Sequence, residues 1–129
     1  RRRLSELPPR AARAGAAVET RLLDPGREAA ALADLAGEAD VVLVDAPCSG
    51  SGTWRRNPEA RWRLNRERLD RLLALQAHVL DVAAPLVRPG GCLVYAVCAL
   101  TSAEGEAQVD AFLRRHPRFT AEAPDLPVG

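Results

Sequence analysis

Two apolar runs of strand length, DVVLVDAP at 40–47 and CLVYAV at 92–97, stand on either side of a long amphipathic stretch at 66–87. Both runs are near-continuous in apolar residues, the pattern of strands covered on both faces in a parallel sheet. Between them Leu69, Leu72, Leu73, Val79, Leu80, Ala83, Leu86 and Val87 recur at three- and four-residue steps and form one helical stripe. Strand, helix, strand in that order predicts parallel neighbours joined by a crossover, the unit of α/β folds. Ligands of such sheets bind beyond the carboxyl ends of the strands. Asp45, Pro47 and Cys48 end the first run and Cys98 follows the second. If the two strands are neighbours, both cysteines open into one crevice.

The flanking segments extend the pattern. LPPRAARAG reads as a short helix with proline in its first turn and Gly15 as its stop. AAVETRLL at 16–23 is expected to be a strand, and GREAAALADLAG at 26–37 a helix closing at Gly37. After the long helix, Pro89, Gly90 and Gly91 spell a turn. The segment 102–116 reads as a last helix, with Ser102 available as N-cap and Arg114, Arg115 and His116 suited to its C-terminal end. The proline-rich tail from Pro117 is expected to be irregular.

Composition excludes several classes. At 129 residues, 47% hydrophobic and 27% charged, the chain is of soluble globular type and fits one domain. It contains no methionine and opens with RRRLSEL, which reads as a piece of a longer protein. No apolar stretch reaches the roughly 18 residues of a membrane span and no secretory signal opens the chain, so a cytoplasmic location is expected. Cys48, Cys92 and Cys98 form no CxxC pair, and neither His78 nor His116 is at ligand spacing from them, so no metal is expected.

The residues at the strand ends suggest chemistry. A thiol at Cys98, just before a helix, can be activated toward thiolate by the helix dipole and nearby arginines and can then attack an electrophilic carbon. Asp45 at the same edge can hydrogen-bond or protonate a substrate nitrogen, while Pro47 stiffens the turn that aims Cys48. The same pattern also fits cysteines that are small buried residues and an aspartate that only forms a turn. The SGSG loop after Cys48 offers backbone N–H groups to a phosphate, although it lacks the sequence of a P-loop. In the following TWRRNPEARWRLNRERLDR, Arg55, Arg56, Arg61, Arg63, Arg66, Arg68 and Arg71 outnumber Glu59, Glu67 and Asp70, with Trp54 and Trp62 interleaved. Guanidinium groups on phosphates and rings on bases make RNA a fitting partner for this face. The overall formal charge, by contrast, is only +1. The competing reading is a solvated helix start with tryptophan anchors in the core.

DAPCSGSGTWRRNPEARWRL, followed by RPGGCLVYAVCALTSAEGEAQVDAFLRRHPRF, resembles the RNA 5-methylcytosine methyltransferases of the Sun (Fmu) type, with similarity from about Arg1 to Phe119. The resemblance implies a Rossmann-like S-adenosylmethionine-dependent methyltransferase fold. Residues 1–129 would be a partial catalytic domain that lacks the N-terminal cofactor-loop strands and the final strands. Within that fold the strand at 16–23 would lie at the sheet edge, apart from 40–47. The implied activity is methylation of carbon 5 of cytosine in ribosomal or transfer RNA.

By the same resemblance, Cys98 matches the nucleophile that adds to carbon 6 of cytosine. Cys48 matches the cysteine that helps release the adduct, and Asp45 the acid that contacts the base and lies near the cofactor. Asp24 matches the position beside the cofactor's adenine. Pro47 is placed with Asp45 on the cofactor side, and the arginine–tryptophan chemistry described above assigns Trp54, Arg55, Arg56 and Arg61 to RNA. Where the family usually has Thr-Cys-Ser, this chain has Val97-Cys98-Ala99. The alternative is a non-catalytic RNA-binding or assembly module that retains the fold.

Overall fold

The computed structural model describes residues 5–122, which form two compact units divided between Asp34 and Leu35. The proline-rich tail expected to be irregular lies mostly outside the described residues.

In the first unit, helix α1 spans Leu7–Arg13 with proline at its start. It ends in a Schellman turn: Ala16 N–H donates to Ala11 C=O at 3.0 Å and Gly15 N–H to Ala12 C=O at 3.2 Å. Gly15 takes the left-handed conformation (φ 64°) that this turn requires. Residues 16–24, expected to contain a strand, have no regular secondary structure. A strand exists only as a pairing, and no partner strand for it occurs among the described residues. Arg21 instead holds the segment to the helical stretch that follows. Its guanidinium donates to both carboxylate oxygens of Asp34, to Glu19 and to the Ala31 carbonyl. The hydrogen bond from Arg21 holds the Asp34 carboxyl below its ordinary range. The helix expected at 26–37 is broken into α2 (Glu28–Ala31) and a 3₁₀ turn at Ala33–Leu35.

The second unit contains the expected parallel pair. Strand β1 (Ala39–Asp45) lies beside β2 (Val87–Ala96), with Val41 opposite Cys92, Val44 opposite Tyr95 and Asp45 opposite Ala96. The turn expected at Pro89–Gly91 is instead an interruption inside β2, where Arg88–Gly91 lie opposite Asp40 alone. Proline cannot donate to a ladder, so it falls where the ladder is already irregular. Gly91 is required there, because a Cβ would stand 2.9 Å from the carbonyl oxygens of both Ala39 and Asp40.

Helix α3 (Arg66–Ala83) joins the strands, starting where Asn65 Oδ1 accepts the Arg68 N–H at 2.8 Å. It is shorter than the 66–87 expected, giving way to a 3₁₀ turn at Ala84–Leu86 that contains Pro85. Helix α4 (Glu106–Arg115) starts at Gly105 without a side-chain cap, so the expected cap at Ser102 does not form. Ser102 contributes its carbonyl instead, to Ala107 N–H at 3.0 Å. At the far end Arg115 and His116 donate to Asp81 on α3, so part of the basic terminus is spent on tying the two helices together.

Val44, Ala46, Leu80, Ala83, Ala84 and Phe112 form the core, with Val42, Leu93, Tyr95 and Val97 packed against it. These side chains alternate along the strands and share one face. On the opposite face Val41 is 61% and Leu43 65% exposed among the described residues. Among the described residues the sheet is therefore covered on one face, where cover on both was expected. Among the described residues no helix is long and apolar enough to cross a membrane.

Candidate functional site

Asp45 and Ala96 pair at the carboxyl end of the sheet, and each chain then runs into a loop that carries a cysteine. Parallel pairing brings those loops together, and Cys48 Sγ lies 3.3 Å from Cys98 Sγ. Both are free thiols. Cys48 is half-buried and Cys98 exposed. The Cys98 thiol is pushed up in pKa, first by its hydrogen bond with Cys48, then by burial, and to a lesser extent by the Asp45 charge. This reverses the expectation of a helix-activated thiolate, because α4 begins only at Glu106 and the nearest influences are a second thiol and a carboxylate. Cys92 pairs with Val41 at the other end of the ladder, away from this edge.

The backbone around the thiols is closely pinned. Gly52 N–H donates to the Cys98 carbonyl at 2.9 Å, and Leu100 N–H donates to Ser51 Oγ at 2.8 Å. A Cβ on Gly52 would meet the Cys98 carbonyl oxygen at 2.8 Å, so the approach of the two loops needs glycine there. Gly50 has φ 68° and its carbonyl accepts from both the N–H and the Oγ of Thr53, each at 2.8 Å. Ser51 and Gly52 of the SGSG loop thus hold the Cys98 segment. Ser49 N–H goes to Glu104, Ser51 N–H to Ser49 Oγ and Gly52 N–H to Cys98, rather than remaining open to phosphate.

Sequence reasoning missed two residues that complete the edge. Glu104 is fully buried, and its carboxylate accepts from Ser49 N–H (2.7 Å), Ser49 Oγ (2.6 Å), Thr101 Oγ (2.8 Å) and Gln76 Nε2 (3.1 Å). Burial pushes its pKa upward, but these hydrogen bonds together outweigh it and hold the carboxyl below its ordinary range. Gln76, also fully buried, donates to the Pro47 carbonyl at 2.9 Å as well. Tyr95 donates its hydroxyl to the Glu104 carbonyl at 2.8 Å. Burial, then the Glu104 charge, pushes that phenol to about 12, so it stays a donor. A signal was present in the sequence, since Gln76 interrupts the apolar stripe between Leu72 and Leu80. A polar side chain at such a position must find partners when the helix docks.

The remaining predicted residues are more dispersed. Asp45 and Pro47 are exposed at the edge beside the thiols, whereas Asp24 belongs to the first unit. The arginine-rich stretch forms two 3₁₀ turns, Ser51–Thr53 and Pro58–Arg63, ahead of α3. Arg55, Arg56 and Arg61 are exposed there. Trp62 is 79% exposed, with the Arg61 guanidinium 4.8 Å from its ring centre, so it is no core anchor. Trp54 is half-buried, and among the described residues its indole Nε1 is buried without a hydrogen-bond partner. His116 stacks on Phe112 and bonds Asp81, remote in sequence from the thiol loops. Among the described residues no group of histidine, cysteine, aspartate and glutamate is arranged to hold a metal ion.

A parallel strand–helix–strand unit with helices on one face, and polar loops meeting at its carboxyl edge, is part of a Rossmann-like methyltransferase domain. The sequence matches the family described as 16S rRNA methyltransferase RsmB/F across residues 2–127, and the chain belongs to that family. Ribosomal RNA small subunit methyltransferase B of Thermus thermophilus is 52% identical over 92 residues, covering 70% of this chain and 23% of the relative. The probable ribosomal RNA small subunit methyltransferase B of Synechocystis is 48% identical over 83 residues, covering 64% of this chain and 19% of the relative. The crystal structure of PH0851 superposes with a TM-score of 0.79 at 37% identity, over 91% of this chain and 26% of that one. The chain therefore spans about a quarter or less of the proteins it matches.

Proposed function

We propose that this chain is the thiol-bearing part of the catalytic domain of an RNA methyltransferase, which methylates carbon 5 of cytosine through a covalent cysteine adduct. The observation that carries this reading is the 3.3 Å approach of Cys48 and Cys98 at the carboxyl edge of a parallel sheet. Similarity to ribosomal RNA small subunit methyltransferases supports ribosomal RNA as the substrate, with transfer RNA the other possibility.

Cys98, the exposed thiol of the pair, adds through its sulfur to carbon 6 of an unstacked cytosine. The bond electrons move to carbon 5, which becomes able to accept a methyl group. Asp45, exposed at the end of β1, meets the amino edge of the base, and Cys48 assists release of the adduct by accepting the carbon 5 proton through its sulfur, while the electrons of that C–H bond re-form the carbon 5–carbon 6 double bond. The carbon 6–sulfur bond breaks in the same step and Cys98 regains its electron pair.

Of the residues assigned to the cofactor, Asp45 fits, because an exposed carboxylate beside the thiols suits a ligand with amino or hydroxyl donors, and Pro47 is exposed two residues further along the same loop. S-adenosylmethionine bound there would supply the electrophilic methyl group. Asp24 belongs to the other unit and remains a proposal from the resemblance. Arg55, Arg56, Arg61 and Trp54, with the exposed Arg61–Trp62 pair, form the face for the RNA backbone and unpaired bases.

The test uses the full-length protein with RNA containing 5-fluorocytidine, which blocks proton loss from carbon 5. A denaturation-resistant adduct is expected, lost in Cys98→Ala and retained in Cys48→Ala. Loss only in Cys48→Ala reverses the two roles. RNA binding with no adduct in the unaltered protein favours a non-catalytic RNA-binding or assembly module.

A further inference from the structure

We infer that Glu104 is a positioning residue that sets the spacing of the two thiols by clamping their loops together. The inference rests on the reading of Cys98 and Cys48 as the working pair.

Ser49, directly after Cys48, offers both its N–H and its hydroxyl to Glu104. Thr101, in the loop that follows Cys98, offers its hydroxyl to the same carboxylate. Gln76 spans from that carboxylate to the carbonyl of Pro47, the residue before Cys48. The residues on both sides of Cys48 are thus tied, directly or through one amide, to a single buried anion in the Cys98 loop. Tyr95, from the core side of β2, in turn holds the Glu104 backbone carbonyl. Ser51 and Gly52 supply a second tie, directly to Leu100 and Cys98, so the Cys98 backbone has support of its own. Cys48 has the greater dependence on Glu104.

The pattern of donors makes the role specific. Oε1 receives N–H groups from Ser49 and Gln76, which can only donate. Oε2 receives hydroxyls from Ser49 and Thr101, which can also accept. A glutamine at this position can keep its oxygen toward the N–H groups and donate its amide to the hydroxyls, so Glu104→Gln preserves the clamp. Glu104→Ala removes it.

The readouts are thiol chemistry on the full-length protein, mapped to Cys48 and Cys98 by mass spectrometry. They require no methyl transfer, so failure here is distinct from failure of the methyltransferase reading. Diamide takes up the two thiol hydrogens and links the sulfurs, at a rate that depends on their spacing. In folded Glu104→Ala, linking should slow about tenfold, the order expected when hydrogen bonds to a charged group are lost. The pH midpoint of Cys98 alkylation by iodoacetamide should fall, because the contact with Cys48 that raises it is lost. Glu104→Gln should stay within about threefold of the unaltered rate, as the preserved donor pattern requires.

An unchanged linking rate and alkylation midpoint in Glu104→Ala overturns the inference, and so does a Glu104→Gln variant as impaired as Glu104→Ala. Should Glu104→Ala not fold, Ser49→Ala and Thr101→Val each remove one hydroxyl donor to Oε2. Slower linking in these variants supports the clamp, and rates equal to the unaltered protein in both overturn it.

Discussion

At the carboxyl end of β1 and β2, two loops and helix α3 converge on a buried carboxylate, and backbone and side-chain hydrogen bonds fix both thiols. At the amino end of the same strands the ladder is broken by Arg88–Gly91, and the ion pair between Arg88 and Asp40 is exposed. Both ends contain a cysteine and a glycine held against backbone, yet only one end gathers reactive groups. Close packing of backbone is therefore not what marks the site. The distinguishing feature is a network of buried polar groups, costly to bury, in which the Glu104 carboxylate takes four donors, while Gln76 Oε1 has no hydrogen-bond partner among the described residues.

Matched substitutions at the two ends are the strongest way to break this comparison. Gly52→Ala and Gly91→Ala force nearly the same clash, with a Cβ 2.8 Å from the Cys98 carbonyl oxygen in one and 2.9 Å from two carbonyl oxygens in the other. Each should cost about 1–3 kcal/mol of stability in thermal unfolding. Gly52→Ala alone should also reduce the rate of adduct formation, by on the order of tenfold, because it displaces the Cys98 carbonyl. Equal activity loss in both variants would mean that the thiol edge has no special geometric demand.

The next effect concerns pH. Because the Cys98 thiol is pushed above its ordinary pKa, it is mostly protonated near neutral pH, and only the thiolate attacks. Adduct formation by the full-length protein should rise about tenfold per pH unit below the Cys98 pKa and level off above it. A rate independent of pH from neutral upward would show that Cys98 is already ionised when the substrate binds.

The Glu104 pKa is shifted the opposite way, downward, and this acts on stability. Its folded pKa lies below that of the unfolded carboxyl, so its contribution is fully present above the ordinary carboxylate range. That contribution is lost as pH falls from the ordinary range through the folded pKa. Thermal unfolding followed through this acid range should show a steeper loss in the unaltered protein than in Glu104→Gln, which has no carboxyl to protonate.

The smallest effect is expected at Cys92, exposed at the other end of the ladder. Cys92→Ser should change stability by no more than about 0.5 kcal/mol and leave adduct formation as it was.

Helix α3 and the two strands were readable from apolar spacing, because a stripe at helical period and a short near-continuous apolar run each suit one type of element, although the runs did not reveal that one sheet face is exposed among the described residues. Pro8 and Gly15 marked the ends of α1 for local steric reasons. The segment 16–23 misled, since its apolar and β-branched residues describe a strand but cannot supply the strand it would pair with. Ser102 misled too: the turn over 102–105 carries Glu104 inward to its partners, and the helix is capped at Gly105, three residues after the expected cap.

The sequence by itself determined that Asp45, Cys48 and Cys98 lie at the carboxyl ends of two strands, because strand polarity and residue order decide that before any folding detail. Only the tertiary structure decided that the sulfurs stand 3.3 Å apart, and that Glu104 and Gln76 are the buried groups joining their loops. Which long-range donors meet a carboxylate depends on parallel pairing and on how α3 and α4 dock. Neither leaves a periodic trace in the sequence.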